Sequence, residues 1–205
     1  MNAPGFMELL DWRRRIVGLY AEVRSLRNQD TAKAHAHWRD ERDRLFAAHP
    51  QSPLDEERRG AFEGLVVAEY DPTLVFNAHV DPTPHEDPIE IPLSGQGTMR
   101  FARVGVVTLP VGSLDVFWLQ DYGGGVFLPF RDATAGDTTY GGGRYLLDSA
   151  KGADLGSQLD GSLVLDFNYA YNPSCHYSPV WSCPLPPPGN TLTERIDAGE
   201  LAFPG

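Results

Sequence analysis

Apolar residues change their spacing once along this chain, and the change divides it in two. Over the first sixty residues Leu9, Trp12, Ile16, Leu19, Tyr20, Val23 and Leu26 recur every third or fourth position, the repeat that lays one apolar stripe along a helix. Asn28-Gln29-Asp30 ends that helix, and Thr31 is positioned to cap a second, in which Ala34, Trp38, Leu45 and Phe46 supply a thinner buried face. A third short helix is expected to open with Ser52-Pro53-Leu54-Asp55, where a serine stands three residues ahead of an acid and a proline takes the first helical position. After Gly60 come short β-rich runs, each bounded by Gly, Pro or Asp: residues 65–70, 74–80, 89–93, 99–109, 114–121, 126–131, 144–148, 162–168 and 193–197. The clearest hairpin passes through Gly123-Gly124-Gly125, whose glycines supply the positive φ of a tight turn. Helices first and strands after predict an α+β protein of one domain, with a helical layer over residues 1–62 and a β-rich core over 63–205. The strands are expected to form an antiparallel meander that closes into a barrel or packs as a sandwich.

Composition narrows the partners. Hydrophobic content of 41% and charged content of 22% are ordinary for a folded soluble protein. A net charge of −11 repels phosphate backbones and anionic lipid, so neither nucleic acid nor a membrane is an expected partner. The one dense basic cluster, Arg13-Arg14-Arg15, lies on the first helix and reads as a solvated face. The start of the chain lacks a signal-peptide pattern, and no run approaches the ~18 apolar residues of a membrane span. A cytoplasmic location with reduced thiols is the expectation.

Residues 166–190, DFNYAYNPSCHYSPVWSCPLPPPGN, interrupt the strand pattern. They hold both cysteines, three of the eight tyrosines and six of the 17 prolines. Proline fixes φ and withholds a backbone donor, so residues 169–190 are expected to form a stiff irregular arm, its aromatic rings laid on the core or around a pocket. Cys175 and Cys183 admit several chemistries. A disulfide would close a nine-residue loop and stabilise by roughly 2–3 kcal/mol, although a reducing compartment opposes it. Zinc would need closer cysteine spacing than the seven intervening residues, and Cys175-His176 are awkward neighbouring ligands, so no metal is expected. A nucleophilic thiolate would need an activating group that the sequence does not place beside Cys175. Two inert thiols packed under aromatic rings complete the alternatives.

A second candidate is PFRDATAGDTTYGGGRYL, residues 129–146. Glycines allow successive N–H groups to face one concavity, and an arginine beside it can grip an anion in bidentate fashion. Arg131 and Arg144 flank this loop as possible converging clamps; a surface pairing of Arg131 with Asp132, or of Arg144 with Asp148, is the structural alternative. The segment is neither a P-loop nor a dinucleotide fingerprint, and no nucleophile elbow occurs anywhere, so no cofactor is expected. His35 and His37 lie on different helix faces, and His79 and His85 straddle a turn. Asp121, Asp132, Asp137 and Asp166 could act as acids or bases only if a pocket brought two together.

The loop and the arm together resemble the bacterial and archaeal family known as domain of unknown function 1684. The matching positions are Phe130, Arg131, Asp132, Thr139, Tyr140, Gly141, Gly143, Arg144 and Tyr145, then Tyr171, Asn172, Pro173, Cys175, Ser182, Cys183, Pro184, Pro186, Pro187, Asn190 and Leu192. His176 and Ser178 depart from the pattern, which is more often small or apolar at the first and asparagine at the second. The resemblance implies that loop and arm face one another around a shared site, and it implies no activity.

The expectation from these residues is binding, with turnover a further step, of a small anionic molecule. Arg131 and Arg144 would clamp it, Gly141, Gly142 and Gly143 would cradle it, and Tyr140 and Tyr171 would wall the site. Asp132 and Asn172 complete the ligand contacts, and Cys175 is the candidate nucleophile. The alternatives are a non-catalytic structural or docking module, in which Pro184 to Pro188 offer an extended edge to a protein partner, and a cysteine-based redox or metal site.

Overall fold

A computed structural model of the chain describes residues 3–83, 88–120 and 123–204, and two long helices form its first layer. Helix α1 spans Ala3–Arg27 and α2 spans Thr31–Ala48. The predicted stripe is the buried one: Ile16, Leu19, Tyr20 and Val23 face inward while Arg13, Arg14 and Arg15 are exposed. The cap of α2 is Asp30 rather than Thr31, because its carboxylate accepts the Lys33 N–H at 2.9 Å. A similar shift moves the third helix, α3 (Glu56–Gly60), where Asp55 is the cap and accepts from Arg58 N–H at 2.8 Å. Ser52 closes the end of α2 instead, donating its hydroxyl to the Phe46 carbonyl at 2.7 Å. That carbonyl belongs to the last turn, where no intrahelical donor is available.

Among the described residues eight strands follow: β1 (Val75–Ala78), β2 (Asp81–Pro82), β3 (Ile89–Pro92), β4 (Thr98–Leu109), β5 (Gly112–Leu119), β6 (Gly125–Phe130), β7 (Arg144–Asp148) and β8 (Leu163–Asp166). They pair antiparallel as one large sheet, ordered β2-β4-β5-β6-β7 with β3 also on β4, and as a separate β1–β8 ladder. The glycine turn between β5 and β6 has φ of +91°, +45° and +155° at Gly123, Gly124 and Gly125. Tyr122 and Asp121, the latter a candidate carboxylate and the end of the predicted 114–121 run, lie outside the described residues.

Side chains of the large sheet alternate between two cores, as the two-residue period of a strand requires. Phe101, Phe117 and Phe127 pack with Ile16, Leu19, Val23 and Trp38 of the helices. Val116, Leu128 and Phe130 pack with Ala78, Leu165 and Phe167 on the side of the small ladder. Both faces are therefore covered, which explains why β7 is buried at every position.

The sheets do not close into a barrel. The outer edge of β7 is met by a single arm residue: Tyr145 N–H donates to Tyr171 O at 2.9 Å and Tyr171 N–H returns to Tyr145 O at 3.0 Å. Pro173 follows two residues later, and a residue without an N–H cannot extend a ladder. The runs 65–70 and 193–197 are not strands either. The first meets the tail at one isolated bridge, Val67 with Glu200, and in the second the Ile196 carbonyl, like that of Ala198 beyond it, accepts from the Arg144 side chain instead of a neighbouring strand. Among the described residues no helix is long and apolar enough to cross a membrane.

Candidate functional site

Pro173 opens the short helix α4 (Ser174–Tyr177), with Cys175 in its first turn. The chain then loops back so that the Cys175 N–H donates to Cys183 Sγ at 3.3 Å. Cys183 is buried, whereas Cys175 is partly exposed. The Tyr140 hydroxyl of the 129–146 loop lies 3.8 Å from the Cys175 sulfur, and the hydroxyl of Ser94, in the turn between β3 and β4, donates to the Trp181 carbonyl at 3.3 Å. Two contacts tie that turn to the arm: Ser94 N–H donates to Cys183 O at 2.8 Å, and Cys183 N–H donates to Ser94 Oγ at 3.0 Å.

This environment divides the two thiols. The hydrogen bond from Cys183 pushes the Cys175 thiol down to about 6; burial opposes that, and the bonds from Ser94 and Tyr140 assist it. The same bond, together with burial, pushes Cys183 up. Tyr140 is pushed up to about 12, by burial first and then by the charge on Cys175. His176 is not positioned as a base for its neighbour, because its Nε2 accepts the Phe203 N–H at 2.8 Å. Its ring lies against Tyr140 at 4.5 Å between centroids.

The loop and the arm do face one another. Gly143 has φ of +89°, and a Cβ there would lie 2.6 Å from the Phe130 carbonyl and 2.7 Å from Pro186 Cγ, so only glycine permits the approach. Its N–H closes a turn onto Tyr140 O at 2.9 Å. Arg131 is partly exposed; its Nε donates to Gly141 O and its Nη1 to Pro186 O, both at 3.3 Å, and no described residue takes Nη2.

Arg144 does not share that lip. It is 0% exposed, and its guanidinium donates to Asp132 at 3.3 Å and to carbonyls of Ile196, Ala198 and Glu200. Asp132 is equally interior, accepting from Ile196 N–H at 2.7 Å and from the Thr134 hydroxyl at 2.7 Å. The sequence treats the two arginines as converging clamps; in the fold Arg131 faces the arm, and the Arg144–Asp132 pair anchors the C-terminal tail behind the loop. Tyr171 and Asn172 also lie apart from the thiols, on the side of the arm that meets the helices. The Tyr171 hydroxyl donates to Asp148 at 3.3 Å, and its ring lies 5.2 Å beneath the guanidinium of Arg42.

Arg42 and Glu200, neither singled out by the sequence, form the polar centre of that side. Glu200 is 1% exposed; one oxygen accepts Nε and Nη2 of Arg42, and the other accepts the Asn172 N–H and the Tyr177 hydroxyl, each at 2.7 Å. Burial works against the Arg42 charge, and the Glu200 carboxylate outweighs it, holding the group above its ordinary range. A signal for Arg42 was present: it stands four residues after Trp38, inside the apolar face of α2. Ser94 gave none, being a lone serine in another turn.

Other candidates are dispersed. Asp137 pairs with exposed Arg195, and Asp166 with Arg27. His35 is buried against Asn168, His37 pairs with Glu22, and His79 lies near Asp160; His85 is outside the described residues. Among the described residues no group of three His, Cys, Asp or Glu could hold a metal ion. Pro184 and Pro186 turn inward, so the proline run does not present a continuous free edge.

No curated protein matches the chain. Among solved structures it is similar to the solution NMR structure of the uncharacterised protein from gene locus rrnAC0354 of Haloarcula marismortui. The identity is 38%, covering 80% of this chain and 89% of that one, with a TM-score of 0.54. The family model described as "Protein of unknown function (DUF1684)" matches residues 60–201, which include the whole loop, arm and tail; the chain belongs to that family.

Proposed function

We propose that the junction of the 129–146 loop and the arm is a thiol-based site for a small anionic molecule, with Cys175 as the nucleophile and Arg131 as the cation that holds the molecule. The observation that carries this reading is the packing of the Tyr140 hydroxyl, 3.8 Å away, and of a second, buried thiol that accepts the Cys175 N–H at 3.3 Å, about one partly exposed sulfur. A sulfur so surrounded is stabilised as the thiolate, the form that attacks an electrophilic centre. Arg131 supports the anionic half of the reading through its Nη2, which has no partner among the described residues. A protein of net charge −11 repels anions over most of its surface, so a local cation is needed to bring one in. Gly141, Gly142 and Gly143 belong to the same loop, and Gly143 permits its close approach to Pro186 of the arm.

Alkylation of the native protein by iodoacetate and by neutral iodoacetamide, followed by peptide mass mapping, tests both halves. Cys175 is expected to label and Cys183 to stay unlabelled, and the iodoacetate-to-iodoacetamide rate ratio is expected to fall about fivefold in Arg131→Met. Loss of labelling priority at Cys175 would remove the nucleophile; an unchanged ratio in the variant would remove the anion site.

A further inference from the structure

We infer that Cys183 is a resolving thiol, and that the class of molecule this site takes is a small anionic disulfide, exchanged against the Cys175–Cys183 pair. The inference rests on the thiol reading above and adds to it the partner sulfur, the substrate class and the product. The geometry is specific. Cys183 Sγ accepts the Cys175 backbone N–H at 3.3 Å, which places the second sulfur beside the residue that carries the first. Burial shields Cys183 from molecules in solution while Cys175 remains accessible, which assigns attack on the external molecule to Cys175 and resolution to Cys183. The Cys183 end is pinned to the β3–β4 turn by its two hydrogen bonds with Ser94 and by the bridge between Leu93 and Pro184. The intervening segment reaches the surface, with Val180 83% exposed, leaving room for the shift from sulfur contact to sulfur bond.

The steps balance as a two-electron exchange. The Cys175 thiolate attacks one sulfur of the disulfide; the bond from Cys175 to that sulfur forms, the original sulfur–sulfur bond breaks, and one thiolate leaves and takes a proton from solvent. Cys183 then attacks the Cys175 sulfur of this mixed disulfide. The Cys175–Cys183 bond forms, the mixed bond breaks, and the second thiolate leaves with the proton that Cys183 carried. The two protein thiols lose two electrons, and the external disulfide gains them as two free thiols. Arg131 favours a disulfide that bears carboxylates over a neutral one.

The test exposes the reduced protein to oxidised glutathione, an anionic disulfide, and to neutral hydroxyethyl disulfide, with intact mass read after acid quenching. Wild type is expected to become two hydrogens lighter and to retain no adduct, reacting several-fold faster with oxidised glutathione than Arg131→Met does. Cys183→Ser is expected to stop at one retained glutathione on Cys175, and Cys175→Ser to stay unmodified. Cys183→Ala, checked by circular dichroism, guards against a folding defect of the serine variant. If Cys175 alkylates selectively yet wild type retains the glutathione adduct, the resolving role is overturned and the thiol site stands. If Cys175 reacts with neither alkylating agent nor disulfide, the thiol site itself falls.

Discussion

His35 is 3% exposed, enclosed by the rings of Trp38, Tyr70 and Tyr169, and its Nε2 donates to the Asn168 carbonyl at 3.0 Å. Burial pushes this imidazole down to about 4. A histidine whose folded value lies below its unfolded value of about 6.5 contributes stability that is fully present above 6.5 and is lost as pH falls toward the folded value. Unfolding free energy is expected to fall between pH 6.5 and 4.5 by on the order of 2 kcal/mol more in wild type than in His35→Gln. Urea denaturation at pH 7.5 and 4.5 measures it, and equal slopes in the two proteins would contradict the assignment. At this scale the sequence identifies residues by type, not by depth. Arg131 and Arg144 flank the same loop and look alike in the sequence, yet only one is near the surface, because Arg144 falls on a strand buried on both faces. The sequence groups Cys175 with Tyr140, and their side chains meet at 3.8 Å. Ser94 was not legible, since what qualifies it is its pair of hydrogen bonds with Cys183, 89 residues along the chain.

Among the elements, α2 carries the longest-range tie in the fold. Arg42 joins it to the tail at Glu200, and Glu200 in turn holds the arm through Asn172 and Tyr177. Removing one partner of a buried ion pair leaves the other charge uncompensated, a loss of about 3–5 kcal/mol. Glu200→Gln is therefore expected to lower the unfolding free energy by about 3 kcal/mol, and the double replacement Arg42→Met with Glu200→Leu to recover part of it. Denaturant titration of the three proteins checks this; a Glu200→Gln variant as stable as wild type would contradict it. At the start of α2, Asp30→Ala is expected to cost about 1 kcal/mol and Thr31→Ala only a few tenths, which the same titration resolves. The apolar repeat located both long helices but not their caps, because Asp30 and Thr31 are each acceptable caps by type and only backbone conformation chooses between them. The strand runs with glycine or proline at both ends were placed within a few residues. Runs 65–70 and 193–197 have the right composition, but their partners are side chains and isolated bridges, a fact fixed by tertiary contacts.

Taken as a whole, the molecule is a sheet covered on one face by helices and on the other by a two-stranded ladder, with the arm laid over its last edge. The change from helical to alternating spacing made the α+β class legible. Barrel closure was not, since it depends on which residue meets the β7 edge, and a proline-flanked tyrosine meets it. The arm's course along that edge brings Cys175 and Cys183 back onto each other beside Tyr140 and Ser94, so the reactivity proposed for Cys175 would be a property of the assembled fold. The rate of iodoacetamide labelling at Cys175 as a function of pH measures that property directly. Half-maximal rate near pH 6 in the native protein, moving upward in Tyr140→Phe and toward the ordinary thiol range on denaturation, is the expected result. A native midpoint in the ordinary thiol range near 9, unmoved by denaturation, would contradict the account.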